Sequence, residues 1–232
     1  SSDVGISDYT LHSGGAVGSD TVWDTVGKLF GLGNSAHYFG AGNKTPKGNT
    51  PLTAEQLAKA DPALKKANES LGRRYPPSNA YVRTLLQRNY YQVVNSDAVF
   101  AIGSIAGNIV EGGTGWAVQM SIDLGKPVYV FNQKDNNWYT YSNGKFVQTD
   151  TPVLTKNFAG VGTREITEAG KNAIKAVYEK TLSQLNTASK APVTLSEEIL
   201  DEPVGEPAQE EEGEPEAIGD AEPVARTAMP EM

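Results

Sequence analysis

The sequence contains no cysteine and only two histidines, His12 and His37. Disulfides and thiolate metal sites are therefore excluded, and a zinc site would need carboxylates for most of its ligands. No apolar run approaches the roughly 20 residues that span a bilayer. The first residues also lack the basic and apolar segments of a signal peptide. These absences predict a cytoplasmic protein with no bound metal, no other cofactor and no membrane partner.

Basic and aromatic residues are nearly missing from residues 196–232, which hold 13 acidic side chains, one arginine and no aromatic residue. A segment of this composition cannot bury enough apolar surface to fold. Because the whole chain has a net charge of −8, residues 1–195 carry a net charge of +4. We therefore predict one folded, mildly basic domain over residues 1–195. Residues 196–232 are predicted to be a disordered acidic tail that is able to dock on another protein.

Apolar segments alternate with segments of helical spacing along residues 1–195. Residues 98–103 form a nearly continuous apolar run, which is typical of a strand buried on both faces of a parallel sheet. Asn143-Gly144 lies between two alternating segments and predicts a β-hairpin insertion at about residues 135–150. The predicted fold class is α/β, a Rossmann-like, mostly parallel sheet with helices on both faces, a small hairpin insertion and the disordered tail.

Three glycine-rich turns lie next to predicted strands. They are Ser13–Asp20, Glu111–Gln119 and Gly160–Arg164. Each is followed by a helical pattern, and the amides and dipole at the start of a helix favour a bound anion. Ligands of parallel sheets bind beyond the carboxyl ends of the strands, where all three turns are expected to meet. The turns therefore predict a site for the phosphate of a nucleotide or sugar phosphate.

The predicted ligand-binding residues lie in these turns or, for one arginine, on a helix before the second turn. Arginine binds phosphate through two parallel hydrogen bonds, and a serine or aspartate at such a turn is able to hold a phosphate or a ribose hydroxyl. Glycines also serve tight connections without any ligand, and serine and aspartate also serve as turn and cap residues. The predicted set is Ser13, Gly14, Gly15, Gly18, Asp20, Arg88, Gly112, Gly113, Thr114, Gly115, Gln119, Gly160, Gly162, Thr163 and Arg164.

Together the three turns resemble the SLOG superfamily of Rossmann-like domains. This superfamily includes the DNA-processing protein A family, the "lonely guy" phosphoribohydrolases and a large set of nucleotide sensors. The turn at Ser13–Asp20 is similar to the family's Ser-Gly-x-Ala-x-Gly-x-Asp turn, and Gly160–Arg164 is similar to its Val-Gly-Ser/Thr-Arg turn. The turn at Glu111–Gln119 resembles the phosphoribohydrolase signature Pro-Gly-Gly-x-Gly-Thr-x-x-Glu. Arg88-Asn89 resembles the Arg-Lys pair that precedes Ser-Asp-Ala in those enzymes.

The order of the turns departs from the family pattern. The resemblance covers roughly residues 7–20, 78–131 and 157–185. The turn at Gly160–Arg164 normally opens the domain but comes last here. The chain therefore resembles a circularly permuted member, with new ends where the first helix normally meets the second strand.

The chemistry of the second turn departs as well. The resemblance implies that Arg88 and the final glutamate of the signature would cleave a base–ribose bond. Here that position is Gln119, whose amide cannot exchange a proton as a general acid or base does. Arg88 and Glu111 remain the candidate catalytic residues, with Glu111 on the other side of the turn.

These departures favour a protein that binds a nucleotide or nucleotide-derived small molecule without cleaving it. Three alternatives remain open. They are a phosphoribohydrolase acting on nucleoside monophosphates, a single-stranded DNA-binding protein like DNA-processing protein A, and a structural protein with a decayed site. The resemblance also implies a homo-oligomer, dimeric or larger, and such proteins are frequent in phages.

Overall fold

The computed structural model describes residues 5–39 and 50–189, which form a sheet with helices on both faces and a separate two-stranded ribbon. The predicted α/β class is thus confirmed, while residues 196–232 lie outside the described part of the chain. A 3-10 turn, Ile6–Asp8, precedes the first strand. The strands are β1 (Thr10–Ser13), β2 (Asn34–Phe39), β3 (Thr50–Pro51), β4 (Ala98–Gly103), β5 (Ile105–Ala106), β6 (Ile109–Val110), β7 (Val128–Asn132), β8 (Asn137–Ser142), β9 (Lys145–Thr149) and β10 (Asn157–Gly162). The helices are α1 (Ser19–Leu29), α2 (Ala54–Lys59), α3 (Asp61–Leu71), α4 (Ala80–Val94), α5 (Thr114–Asp123) and α6 (Glu168–Ser189).

The main sheet has the strand order β3-β2-β1-β10-β4-β7-β8-β9. The first six strands in this order, β3, β2, β1, β10, β4 and β7, are parallel to their neighbours. The hairpin β8–β9 continues the sheet in antiparallel pairing. The central strand β10 is the last strand along the chain. If β10 is numbered strand 1, then β1, β2, β4 and β7 become strands 2, 3, 4 and 5. Across the sheet these five strands then have the order 3-2-1-4-5 of a Rossmann sheet.

The two faces of the sheet are covered by different helices. Strand β4 is buried along its whole length, and its side chains alternate between the faces. Phe100 and Ile102 pack with Trp23 of α1 and Tyr178 of α6, whereas Val99 and Ala101 belong to the core beneath α4 and α5. Helix α3 packs outside α4 and α5 through a third apolar cluster. Burial of β4 on both faces is what its continuous apolar sequence predicts.

The beginning of the described chain and the last helix share one apolar cluster. Ile6 and Tyr9 pack in the same core as Leu182 of α6, and Leu185 packs against that core. The two ends of the folded unit therefore lie on the same face of the sheet, close to each other.

Three local features complete the fold. Asn79 caps α4, because its Oδ1 accepts hydrogen bonds from the amides of Tyr81 and Val82. Residues 54–71 form two helices, α2 and α3, with Pro62 in the first turn of α3, where its missing N–H costs nothing. The hairpin turns at Asn143-Gly144 as predicted, with both residues at positive φ. The hairpin pairs with β7 and so extends the main sheet. None of the described helices has the length and apolar character needed to cross a membrane.

Candidate functional site

A cleft opens at the carboxyl ends of β1, β10 and β4, between α4 and the starts of α1 and α5. Its empty space, counted together with the open solvent at its mouth, measures about 540 Å³. In a Rossmann sheet the reversal of strand order falls between the strands that correspond to β10 and β4, and ligands bind outside the sheet there. The cleft is lined by Ala16, Asp20, Val82, Leu85, Leu86, Arg88, Asn89, Gln92, Gly113, Thr114, Ala117, Val161 and Gly162. All three glycine turns contribute to this lining, as the parallel topology predicts.

The first and third turns are fastened to each other. Both the backbone N–H and the Oγ of Ser19 donate hydrogen bonds to the carbonyl of Thr163, at 3.0 and 2.7 Å. Gly18 has φ 97°. Any side chain at Gly18 would overlap the backbone of Arg164. Glycine is therefore required here so that the two turns can approach, and this side of the cleft has a fixed backbone.

Gly14 lets three polar side chains meet beside the cleft. A Cβ atom at Gly14 would lie 2.6 Å from Nε2 of Gln92 and 3.2 Å from both Nη2 of Arg88 and Oδ2 of Asp20. Arg88 and Asp20 are 8 % and 7 % exposed, so an oppositely charged pair of side chains is held out of bulk solvent next to the cleft. Arg88 also donates to the carbonyl of Tyr38 at 3.3 Å, which ties α4 to β2.

The second turn places the start of α5 at the cleft. Gly113 and Thr114 line it, and the first amides of a helix have no acceptor within that helix. The turn is held from behind by Arg73, whose guanidinium donates to the carbonyls of Gly112 and Val110 at 2.8 and 3.2 Å and lies 5.7 Å from the ring centroid of Trp116. Arg73 was not among the predicted site residues. Its one signal was a pair of arginines before a Pro-Pro break.

Two predicted ligand-binding glycines have structural surroundings instead. A Cβ at Gly160 would collide with the ring of Trp23, on the α1 face of the sheet, opposite to the face that α4 covers. A Cβ at Gly115 would collide with the carbonyl of Val110. Both glycines permit close packing. Gly162, on the same strand as Gly160, lines the cleft, and a Cβ there would also lie 2.6 Å from the carbonyl oxygen of Ile102 and from the Oγ of Ser19.

Neither the catalytic candidate Glu111 nor the predicted ligand-binding residue Gln119 lines the cleft. Glu111 is half exposed and forms a 3.4 Å ion pair with Lys134. Gln119 is buried and donates from Nε2 to Asp123, one turn further along α5, at 3.1 Å. The structure therefore does not bring Glu111 or Gln119 together with Arg88. Asp20 is the one carboxylate in the lining of the cleft within the described ranges 5–39 and 50–189.

The remaining predicted residues support the turns. Ser13 is fully buried, and its Oγ accepts a hydrogen bond from the amide of Gly15, which has φ 70°. The Oγ1 of Thr163 accepts from the amide of Glu165. Arg164 is exposed and is not part of the lining of the cleft.

Gln92 was not predicted as a site residue, yet it is the least expected side chain in the cleft. It is 1 % exposed, and neither its Nε2 nor its Oε1 has a hydrogen-bond partner among the described residues. Its position offered a signal, because it follows Arg88 by four residues and side chains at that spacing share one helix face. The same face of α4 carries Val82, Leu85 and Asn89 into the cleft.

His12 is fixed by the fold, and His37 lies near the first turn. His12 is buried between Tyr38 and Asn157, with ring nitrogens 2.9 Å from the Tyr38 hydroxyl and 3.0 Å from Asn157 Oδ1, as expected for a structural histidine. Burial lowers the pKa of His12 and also that of His37, which lies beside Gly15. Within the described part of the chain, no group of three histidine or acidic side chains is arranged to hold a metal ion.

Comparison with known proteins finds no family model, no curated protein and no solved structure that matches this chain. The chemistry of the cleft therefore has to be argued from its own side chains and backbone groups.

Proposed function

We propose that this chain binds a nucleotide or a nucleotide-derived small molecule in the cleft between α4 and the starts of α1 and α5. The observation that carries the proposal is the convergence of all three glycine turns and the buried Arg88 on one cleft at the Rossmann switch point. Parallel topology accounts for the meeting of the turns, but it gives no reason for burying Arg88 and Asp20 beside them.

The phosphate of the ligand would lie at the start of α5. The amides near Gly113 and Thr114 and the helix dipole favour an anion there, and Arg88 supplies a full positive charge to the same cleft. Asp20 disfavours a second anion beside it but is a good acceptor for hydroxyl groups such as those of a ribose. The cleft therefore favours a ligand with one anionic end and one hydroxyl-bearing part. A mononucleotide has both, whereas inorganic phosphate has only the first.

Binding is favoured over cleavage because of where the acid/base candidates lie. Cleavage of a base–ribose bond needs a titratable group within hydrogen-bond reach of the reacting atoms. Glu111 pairs with Lys134 outside the cleft lining, and Gln119 is an amide bonded to Asp123. Asp20 is the one carboxylate in the described lining of the cleft, and it belongs to the first turn rather than to the glutamate position of the phosphoribohydrolase signature. A sensor or a sequestering protein therefore fits these residues better than a phosphoribohydrolase.

We also propose that the chain is a circularly permuted member of the SLOG superfamily. The strand order supports this, because β10 takes the central position of the first Rossmann strand although it comes last. The contact between the opening 3-10 turn, Ile6–Asp8, and α6 supports it as well, since permutation joins ends that already lie together.

Calorimetric titration of the purified chain with a panel of nucleoside monophosphates, cyclic nucleotides and ADP-ribose tests the proposal. Arg88→Met should weaken binding by roughly 10-fold or more, as expected for a lost charge-assisted hydrogen bond of about 1.5–3 kcal/mol. Arg74→Met is the charge-matched control, because Arg74 is exposed and outside the cleft lining. Absence of binding by the wild type at millimolar ligand would refute the proposal. An equal loss in both variants would refute the assignment of Arg88.

A further inference from the structure

The buried side-chain amide of Gln92 lowers the stability of the fold. A primary amide offers two donors and an acceptor with two lone pairs, and a buried amide that makes none of these bonds costs about 1–3 kcal/mol. The side chain is 1 % exposed and the described residues satisfy neither Nε2 nor Oε1. A methionine or leucine would fill the same space without that cost. Packing therefore does not explain the amide.

The position of Gln92 relates it to the ligand. It lines the cleft on the same helix as Arg88, and its Nε2 is held against Gly14, where Arg88 and Asp20 also lie. Val82, at the other end of the α4 wall, is ten residues away, which is about 15 Å along a helix. The wall is therefore polar from Arg88 to Gln92 and largely apolar from Val82 to Leu86.

The amide defines the chemistry of the group it would bind. Its donor and its acceptor lie side by side in one plane, which is the pattern that glutamine uses to bind the edge of a base through two hydrogen bonds. Nucleobases carry the complementary pair, for example the 6-amino group and the neighbouring ring nitrogen of adenine. Ribose and phosphate carry no such planar pair.

We infer that Gln92 recognises the edge of the nucleobase through paired hydrogen bonds, and that it makes binding depend on a base with an adjacent donor and acceptor. This inference rests on the proposed nucleotide-binding function of the cleft. A good paired contact of this kind discriminates by about 1–3 kcal/mol, or roughly 5- to 150-fold in affinity.

The test uses the purified full chain, calorimetry and three ligands with decreasing capacity to pair. These are adenosine 5′-monophosphate, purine riboside 5′-monophosphate, which lacks the 6-amino group, and ribose 5-phosphate. The wild type should bind adenosine 5′-monophosphate roughly 5- to 150-fold more tightly than the other two. Gln92→Met should remove that preference and leave binding of ribose 5-phosphate unchanged. Its thermal midpoint should equal or exceed that of the wild type, because no unpaired amide is buried any longer.

Two further variants complete the design. Gln87→Met is the matched control, since Gln87 lies on the same helix, is similarly buried and bonds to Asp61 outside the cleft. It should keep the preference for adenosine 5′-monophosphate. Gln92→Glu presents two acceptors, so it should shift the preference toward guanosine 5′-monophosphate, whose base offers two adjacent N–H donors. Tighter binding of guanosine 5′-monophosphate would be a gain of affinity, which a variant with a damaged cleft would not show.

The outcomes separate the two proposals. If the wild type binds none of the nucleotides, the proposed function fails and this inference fails with it. If the wild type binds all three ligands equally, or if Gln92→Met keeps the wild-type preference, nucleotide binding stands and the role of Gln92 is overturned. A loss of the preference confined to the Gln92 variants supports it.

Discussion

Replacing Gly160 by alanine tests whether this glycine serves packing rather than a ligand. The added Cβ would lie 2.5 and 2.7 Å from two ring atoms of Trp23 and 3.0 Å from a methyl carbon of Leu11. Both neighbours are fully buried, and the Trp23 indole is also held by a hydrogen bond to the carbonyl of Val161. The ring therefore cannot move away without disturbing β10 and α1.

The magnitude follows from two opposing effects. Overpacking a core by one methyl group costs about 1–3 kcal/mol, and a rigid neighbour places this site near the upper end. Alanine in place of glycine gains about 0.4–1 kcal/mol by restricting the unfolded chain. We therefore expect a net loss of about 2 kcal/mol, which lowers the thermal midpoint by roughly 4–8 °C for a domain of this size.

The assay is thermal and urea unfolding followed by circular dichroism, together with titration of the nucleotide that the wild type binds. Gly5→Ala is the control, because a Cβ there meets no atom closer than 3.8 Å, and it should change stability by less than about 0.5 kcal/mol. Nucleotide affinity of folded Gly160→Ala should remain that of the wild type. A stable variant that had lost its ligand would show that the packing argument is wrong and that Gly160 belongs to the site.

Two further predictions concern α4 and its neighbours. Asn79→Ala should destabilise the protein by about 1 kcal/mol through loss of the helix cap, whereas the neighbouring Ser78→Ala should stay within about 0.5 kcal/mol in urea unfolding; the reverse ranking would contradict the assignment of Asn79 as the cap. Burial raises the pKa of Asp61, but hydrogen bonds from Tyr75, Arg83 and Gln87 outweigh it and leave the pKa below its ordinary value. Because a lowered pKa stabilises the fold only above the unfolded-state value of about 3.9, the advantage of the wild type over Asp61→Asn should be steady near neutral pH and shrink as the pH falls below about 4. An advantage that grew on acidification, measured by unfolding across a pH series, would contradict the sign.

Periodicity predicted most of the fold. The continuous apolar run of β4 predicted a strand covered on both faces, and Asn143-Gly144 predicted the hairpin turn, because both signals are local. The meeting of the three turns also followed from the sequence, since parallel strands end at one edge of a sheet. The extension of the sheet by β8 and β9 depends on pairing with β7 and has no local signal.

The candidate site was less predictable because side-chain environments depend on distant residues. Glycine looks the same in a turn motif whether it lines the cleft, as Gly162 does, or faces an indole ring, as Gly160 does. The support that Arg73 gives to the second turn spans 39 residues to Gly112. The unsatisfied amide of Gln92 becomes visible only when all of its neighbours are known.

The central position of β10 has a consequence for how the chain is made. Strand β10 pairs with β1 on one side and with β4 on the other, but it follows both along the chain. A nascent chain emerging from its amino end therefore presents two unpaired parallel edges, one on β1 and one on β4, until residues 157–162 arrive. Such edges expose backbone groups that other chains can pair with. The chain thus has its greatest exposure to aggregation just before synthesis of β10, and the floor of the cleft forms only in the last step of sheet assembly.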